Sequence, residues 1–284
     1  MARRKKEKEI HCSKGFFYYV IVFLKVLWFI IKLPYYLFLG IYYAIKGIIS
    51  ILSWTKEKIK KRKVMAKKGA IKPVYEDFRI VETSGGDYKK WEENLSNAES
   101  KIGIILGARG SGKTAIGIKL LENIYAKTKK NCYAIGFHSE DFPSWINVVE
   151  DISQIKNNSI VLIDEGGILF SSRNSMSNAN KLLSNLILVA RHKNLSIIFI
   201  SQNSSNLEVN ILRQADFLVL KTSSLLQKEF ERKIIQQIYE KNHDQFEKYK
   251  NVMGLAYIFS DDFEGFVANP LPSFWDTNIS KSFK

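Results

Sequence analysis

Three groups of residues in this chain have the types and spacing for phosphate chemistry. Gly107-Ala108-Arg109-Gly110-Ser111-Gly112-Lys113-Thr114 matches the spacing G-x-x-x-x-G-K-[ST]. Phosphates need a concave set of backbone N–H groups, and glycines let a backbone close around them without Cβ clashes. A helix opening directly after such a loop adds the partial positive charge of its N-terminus. Lys113 is placed to reach the β and γ phosphates and Thr114 to hold Mg2+, so the motif implies ATP with Mg2+ as its ligands. Next, Ile160-Val161-Leu162-Ile163 ends in Asp164-Glu165. An apolar strand ending in a carboxylate sets Asp164 beside the Mg2+ shell. Glu165 is the candidate to orient and deprotonate water, which hydrolysis needs and transfer to a substrate hydroxyl does not. Third, Ile197-Ile198-Phe199-Ile200-Ser201 ends in Gln202, an amide at the place where an ATPase sheet faces the γ-phosphate and senses its loss.

Arg191, eleven residues before Gln202, sits where a helix ends ahead of that strand. Two roles are open to it: complementing the helix C-terminal dipole, or reaching into a neighbouring subunit's nucleotide as an arginine finger, worth about 10³–10⁵ in rate. Arg213 is the reserve candidate for the finger.

Positioning these groups requires strand ends along one edge of a sheet. From residue 101 onward, short apolar runs alternate with helical stretches, which predicts βα units around a parallel sheet. The predicted strands are 102–106, 132–137, 160–163, 196–200 and 217–220, and buried parallel strands read as continuous apolar runs, as these do. Helices are predicted over 113–128, around 144–154, and over 178–192 with Leu182, Leu183, Leu186, Val189 and Ala190 on one face. The fold class is therefore α/β, a P-loop NTPase with a RecA/ASCE-like parallel sheet flanked by helices, occupying residues 101–284 with a C-terminal extension. Residues 225–250 read as a packing helix with a solvated face. The stretch from Asp261 through Leu-Pro-Ser-Phe-Trp reads as a docking tail or an edge covering.

The front of the chain has a different character. Residues 16–54 contain no acidic side chain and only three lysines, about twice the ~20 apolar residues that span a membrane as a helix. Pro34 falls near the middle and disfavours helical geometry just before it, predicting two membrane helices, about 16–31 and 34–54, folded as a hairpin. Basic flanks on both sides, 1–15 and 55–72, put both ends in the cytoplasm. The rival arrangement is a single-pass or interfacial helix, on which Lys25, Lys32 and Lys46 share one stripe and snorkel to anionic headgroups. Either way the ATPase domain is expected at the cytoplasmic membrane face. Residues 55–100 read as a basic juxtamembrane segment and a linker.

The formal net charge of +15 belongs entirely to this front part. Residues 1–72 hold 18 basic and 3 acidic side chains, and the remainder holds 25 of each sign. This excludes a uniformly basic nucleic-acid coat protein and a disordered polyelectrolyte. Cys12 and Cys132 are far apart in sequence and read as unpaired thiols of a reducing compartment, which excludes a disulfide-rich secreted domain. The four histidines are too scattered for a metal site.

Taken together, the P-loop, the Asp164-Glu165 ending and the strand-terminal Gln202 with Arg191 before it resemble the FtsK–HerA superfamily of P-loop ATPases. The nearest groups are viral DNA-packaging ATPases and the Zot-like assembly ATPases of filamentous phages. The resemblance covers about residues 101–222. It implies a homo-oligomeric, hexameric ring with ATP between subunits and, commonly, DNA moving through the pore; virion or filament assembly proteins are the other implied partners. Two departures stand out: the membrane segment precedes the ATPase part, whereas Zot-like proteins carry it after, and the ATPase part is net neutral. An alternative function of a different class is an ATP-gated membrane scaffold that organises a complex with little turnover.

Overall fold

The computed structural model of the chain describes residues 2–164, 188–207, 209–276 and 279. It divides into two units, Met1–Val64 and Met65–Lys284.

Helix α1 runs unbroken from Ala2 to Ala70 with Pro34 inside it. The hairpin predicted at Lys32-Leu33-Pro34 is thus corrected to one continuous helix. An interior proline removes one backbone hydrogen bond and costs about 3 kcal/mol. The intact turns on both sides absorb that loss, and no glycine or polar turn residue adjoins Pro34 to support a reversal. Over Val20–Lys56, 37 residues, α1 is long and apolar enough to cross a membrane. At 1.5 Å per residue this stretch measures roughly 55 Å, against a hydrocarbon core of about 30 Å. Its large side chains lie open, Phe38 being 78% exposed. On the unbroken helix Lys25, Lys32 and Lys46 share a stripe, as the rival arrangement expects, and the Lys32 ammonium lies 3.6 Å from the Trp28 ring centre.

The second unit is built on a nine-stranded mixed sheet of order β1-β9-β8-β7-β2-β6-β5-β3-β4. In chain order the strands are β1 (Arg79–Gly86), β2 (Ile102–Leu106), β3 (Asn131–Ile135), β4 (Ile146–Val148), β5 (Ser159–Asp164), β6 (Ser196–Ser201), β7 (Phe217–Leu220), β8 (Leu255–Ser260) and β9 (Phe263–Ala268). The run β7-β2-β6-β5-β3-β4 is parallel throughout. β8, β9 and β1 extend it antiparallel. The C-terminal stretch that reads as a tail therefore widens the sheet, turning at Asp261-Asp262. The expected linker also belongs to this unit: it forms β1 and helix α2 (Tyr88–Asn97), which buries Tyr88, Trp91 and Leu95.

Alternating side chains of the central strands feed two cores. One face packs Ile105, Leu162, Ile198 and Val219 with α2 and helix α3 (Lys113–Thr128). The other packs Ile104, Val161, Phe199 and Leu220 with Ile235, Tyr239 and Phe246, from helices at Lys233–Lys241 and His243–Lys248. The predicted helix at 144–154 is instead the short strand β4 and a single 3-10 turn at Ile152–Gln154. Trp145 stacks on Tyr125 of α3 at 5.1 Å, and Ile146 is buried beside β3, so packing overrides local helical periodicity there. Residues 225–250 form three short helices rather than one. Residues 188–193 are helical and carry Val189, Ala190 and Arg191; the rest of the predicted helix, with Leu182, Leu183 and Leu186, lies outside the described residues.

Candidate phosphate-binding site

All the parallel strands run the same way, so their carboxyl ends line one edge, where open α/β sheets place their ligands. β2 delivers its chain directly into residues 107–112, and α3 starts at Lys113. The turn depends on glycine: φ is +78° at Gly110 and +89° at Gly112, the residue capping α3. A Cβ on Gly107, where φ is +150°, would meet Lys221 Cβ at 2.6 Å and Ser111 Oγ at 2.9 Å. The loop is held from outside by two backbone bonds. Lys221 N–H donates to Leu106 O at 2.8 Å, and Ala108 N–H donates to Thr222 O at 2.9 Å.

Lys113 is only 7% exposed, and its Nζ donates to Gly107 O at 2.8 Å and Ala108 O at 2.9 Å. Burial pulls its pKa down to about 8, while the nearby Asp164 carboxylate acts in the opposite direction. Asp164 ends β5, itself buried. Strand alternation puts it on the α3 face, in phase with Leu162. Its neighbour in β6 is Ile200, and Ser201 in turn pairs with Leu106 before the loop. β6 thus lies between the loop strand and the acidic strand, and Gln202, one residue beyond its end, emerges between them. Gln202 is exposed, and its backbone carbonyl accepts a bond from Gln227 Nε2.

Two observations suit this loop to a phosphate. The Ser111 hydroxyl is buried without a hydrogen-bond partner, although buried polar groups are normally satisfied. The space a Cβ on Gly110 would enter is open, with no atom within 4 Å. The first-turn amides of α3, which no helical carbonyl can accept, add donors at the same spot. For Mg2+, Thr114 and Asp164 are the available groups. No cluster of three or more His, Cys, Asp or Glu side chains exists among the described residues. An ion held by one or two protein groups and otherwise by phosphates and water needs none.

Glu165, expected to act on water, lies outside the described residues. Arg109 is exposed at the rim of the loop. Arg191 is at the opposite edge of the sheet, before β6 begins, where its guanidinium donates to Gln214 Oε1 at 3.4 Å. Six residues of β6, roughly 20 Å of strand, separate it from the loop edge. Arg191 is therefore remote from the loop of its own chain. Arg213 ends a short helix, Val209–Arg213, ahead of β7, also away from the loop edge. Cys132 is a free, buried thiol whose pKa burial pushes up.

Sequence reasoning missed Lys221, Thr222 and Asn269, which support the loop. Lys221 carries a legible signal: it ends the apolar run Phe217–Leu220 with a polar residue, as Asp164 and Gln202 end theirs.

Comparison with known proteins agrees with the sequence resemblance. The family model described as zonular occludens toxin (Zot) matches residues 115–247, a little under half of the chain, starting just after Thr114. No curated protein matches the sequence. Among solved structures, the genome-packaging NTPase B204 of Sulfolobus turreted icosahedral virus 2, in complex with AMP, is similar at 15% identity and a TM-score of 0.42, over 61% of this chain and 98% of that one. EssC (ATPases 2 and 3) from Geobacillus thermodenitrificans is similar at 11% identity and a TM-score of 0.40, over 64% and 43%. The pCW3 conjugation coupling protein TcpA, in a monomer form with ATPγS, is similar at 12% identity and a TM-score of 0.42, over 65% and 64%. The fold assignment rests on this chain's own strand order and loop. The chain resembles the Zot family over residues 115–247.

Proposed function

We propose that this chain is a membrane-anchored ATPase whose hydrolysis of ATP drives DNA translocation or packaging, or virion or filament assembly and export, at the cytoplasmic membrane face. The observation that carries the reading is the loop edge itself: a glycine cradle with an unsatisfied Ser111 hydroxyl, closed by Lys113 and flanked by Asp164, with Gln202 emerging between their strands. The cradle binds phosphates through its amides, and Lys113 carries positive charge to the β and γ oxygens. Thr114 and Asp164 would hold Mg2+, which supplies charge neutralisation as the terminal phosphoryl group leaves. Glu165 follows Asp164 directly and is our candidate for orienting water and taking its proton; Gln202 is the candidate for sensing the terminal phosphate. Arg191, remote from its own loop, completes the site of an adjoining subunit in a ring, for which six subunits is the number the resemblance implies. The 20–56 segment of α1 is the anchor, and the basic side chains around it favour a cytoplasmic ATPase domain.

The test is ATP turnover by the full chain in nanodiscs, with and without double-stranded DNA, beside Glu165→Gln. DNA stimulation that disappears in the variant supports translocation. Glu165-dependent turnover indifferent to DNA supports protein or filament assembly. Tight ATP binding with no turnover would overturn the motor and leave an ATP-gated scaffold.

A further inference from the structure

Beneath the loop lies a lysine that the phosphate chemistry above does not use. Lys221 is 1% exposed and follows β7 on the α3 face, in phase with Phe217 and Val219. Its side chain passes under the cradle. The Cβ direction of Gly107 meets its Cβ at 2.6 Å, and that of Gly112 meets its Cε at 3.5 Å and its Nζ at 3.9 Å. The Nζ donates to Gly254 O and to Asn269 Oδ1, each at 2.8 Å. Both partners are neutral, and both flank the β8–β9 hairpin: Gly254 precedes β8 and Asn269 follows β9.

Among the described residues, the other charges around it give no compensation. The loop contributes Lys113, and α3 contributes the positive end of its dipole. From β8 comes Tyr257, which bonds Glu264 of β9, and Glu264 is in turn paired with Lys241. From the helix at Lys233–Lys241 comes Tyr239, whose hydroxyl donates to the Lys221 carbonyl at 2.9 Å. Glu231 is engaged by Ser204 N–H at 2.7 Å. Burial accordingly pulls the Lys221 pKa down to about 7 with no carboxylate opposing it. A neutral amine satisfies Gly254 and Asn269 with its two N–H groups. Protonation adds a third donor and a charge that only an anion on the loop side would balance.

We propose that Lys221 is an internal counter-charge for phosphate, taking up a proton when a polyphosphate occupies the loop and so tying loop occupancy to the β8–β9 hairpin. This rests on the nucleotide-binding reading of the loop. The charged form strengthens its bonds to Gly254 O and Asn269 Oδ1, since charge-assisted bonds are roughly twice as strong as neutral ones. Lys221 is thus a positioning residue that links the nucleotide to the antiparallel half of the sheet.

The experiment is calorimetric titration of the full chain in nanodiscs with Mg2+ and ATPγS at pH 8, in two buffers of different ionisation enthalpy, which reads protons taken up per nucleotide bound. A lysine of pKa about 7 is roughly one-tenth charged at pH 8, so its full protonation adds about 0.9 proton per nucleotide. Lys221→Met should lose that uptake while still binding ATPγS. Asn269→Asp supplies a permanent carboxylate partner, so it should also bind without the extra uptake, and it tests the idea if Lys221→Met fails to fold. Lys113 is unchanged in both variants, and its contribution cancels in the comparison. Equal uptake in the parent chain and a variant that binds would overturn the inference. Absence of ATPγS binding by the parent chain would overturn the nucleotide-binding reading, and this inference with it.

Discussion

At the scale of single residues, burial separates the groups that hold the site from those that act in it. Lys113 and Asp164 are buried yet adjacent to the cradle. Behind them, on α3, Lys119 and Glu122 form an ion pair at 2.9 Å with side-chain exposures of 1% and 0%. Glu122 also accepts from Val74 N–H at 3.1 Å and Ser273 N–H at 3.0 Å, and Lys119 donates to Val74 O at 3.0 Å. The pair therefore fixes the chain entering the sheet and the segment after β9 to the same helix that opens at the loop. Removing Glu122 leaves Lys119 buried with only the longer contact to the half-solvated Glu76, 3.8 Å away, which costs about 3 kcal/mol, the low end for a broken buried pair. Glu122→Ala should lower stability by that amount in denaturant titrations followed by tryptophan fluorescence. A change below about 1 kcal/mol, the range of exposed pairs, would show that the pair is not buried as described.

At the scale of elements, close approach at β2 sets the geometry of the loop it feeds. A Cβ on Gly103 would lie 2.0 Å from Phe217 Cζ, and Trp91 of α2 meets that same ring edge-on at 5.5 Å. Gly103→Ala must displace the ring in a packed core, which costs about 1–3 kcal/mol. The expected result is a lowered melting temperature together with weaker ATP binding, because β2 carries the loop; unchanged values of both would contradict the packing. The strands β2, β5, β6 and β7 and helix α3 were legible in the sequence because continuous apolar runs and a terminal glycine motif report buried parallel strands directly. So was the grouping of the loop, Asp164 and Gln202 at one edge. β8 and β9 were not legible, because Asp261-Asp262 resembles a solvated ending until Phe263 is seen buried against Tyr88 on one face and Phe266 against Tyr257 and Phe246 on the other. β1 and α2 hid in polar sequence, since the buried face of α2 mixes Tyr88, Trp91 and Leu95 with Glu92 and Ser96. Pro34 misled because its local preference is outweighed by a helix continuing for many turns on each side.

At the scale of the whole molecule, the chain combines an apolar helix with a net-neutral α/β unit, and its net positive charge is confined to residues 1–72. Deleting residues 20–56 should move the chain from the membrane pellet to the alkaline-extracted supernatant; retention in the pellet would contradict the anchor. The position of Arg191 makes a sharper demand. Placed at the sheet edge away from its own loop, it can take the catalytic role proposed for it only across a subunit boundary. Arg191→Ala should retain ATP binding and lose turnover by about 10³-fold, the low end for an arginine finger. Mixing it with Lys113→Ala should restore part of the turnover, since each variant supplies what the other lacks. Mixed assemblies that form and stay inactive would argue against the shared site.

The central claim, that the loop from Gly107 to Thr114 binds and turns over ATP, is tested most directly by the steady-state hydrolysis rate of the full chain in nanodiscs beside Lys113→Ala. Turnover by the parent chain that falls to background in a folded variant is the predicted result. Equal turnover by both would contradict it, placing the chemistry somewhere other than this loop.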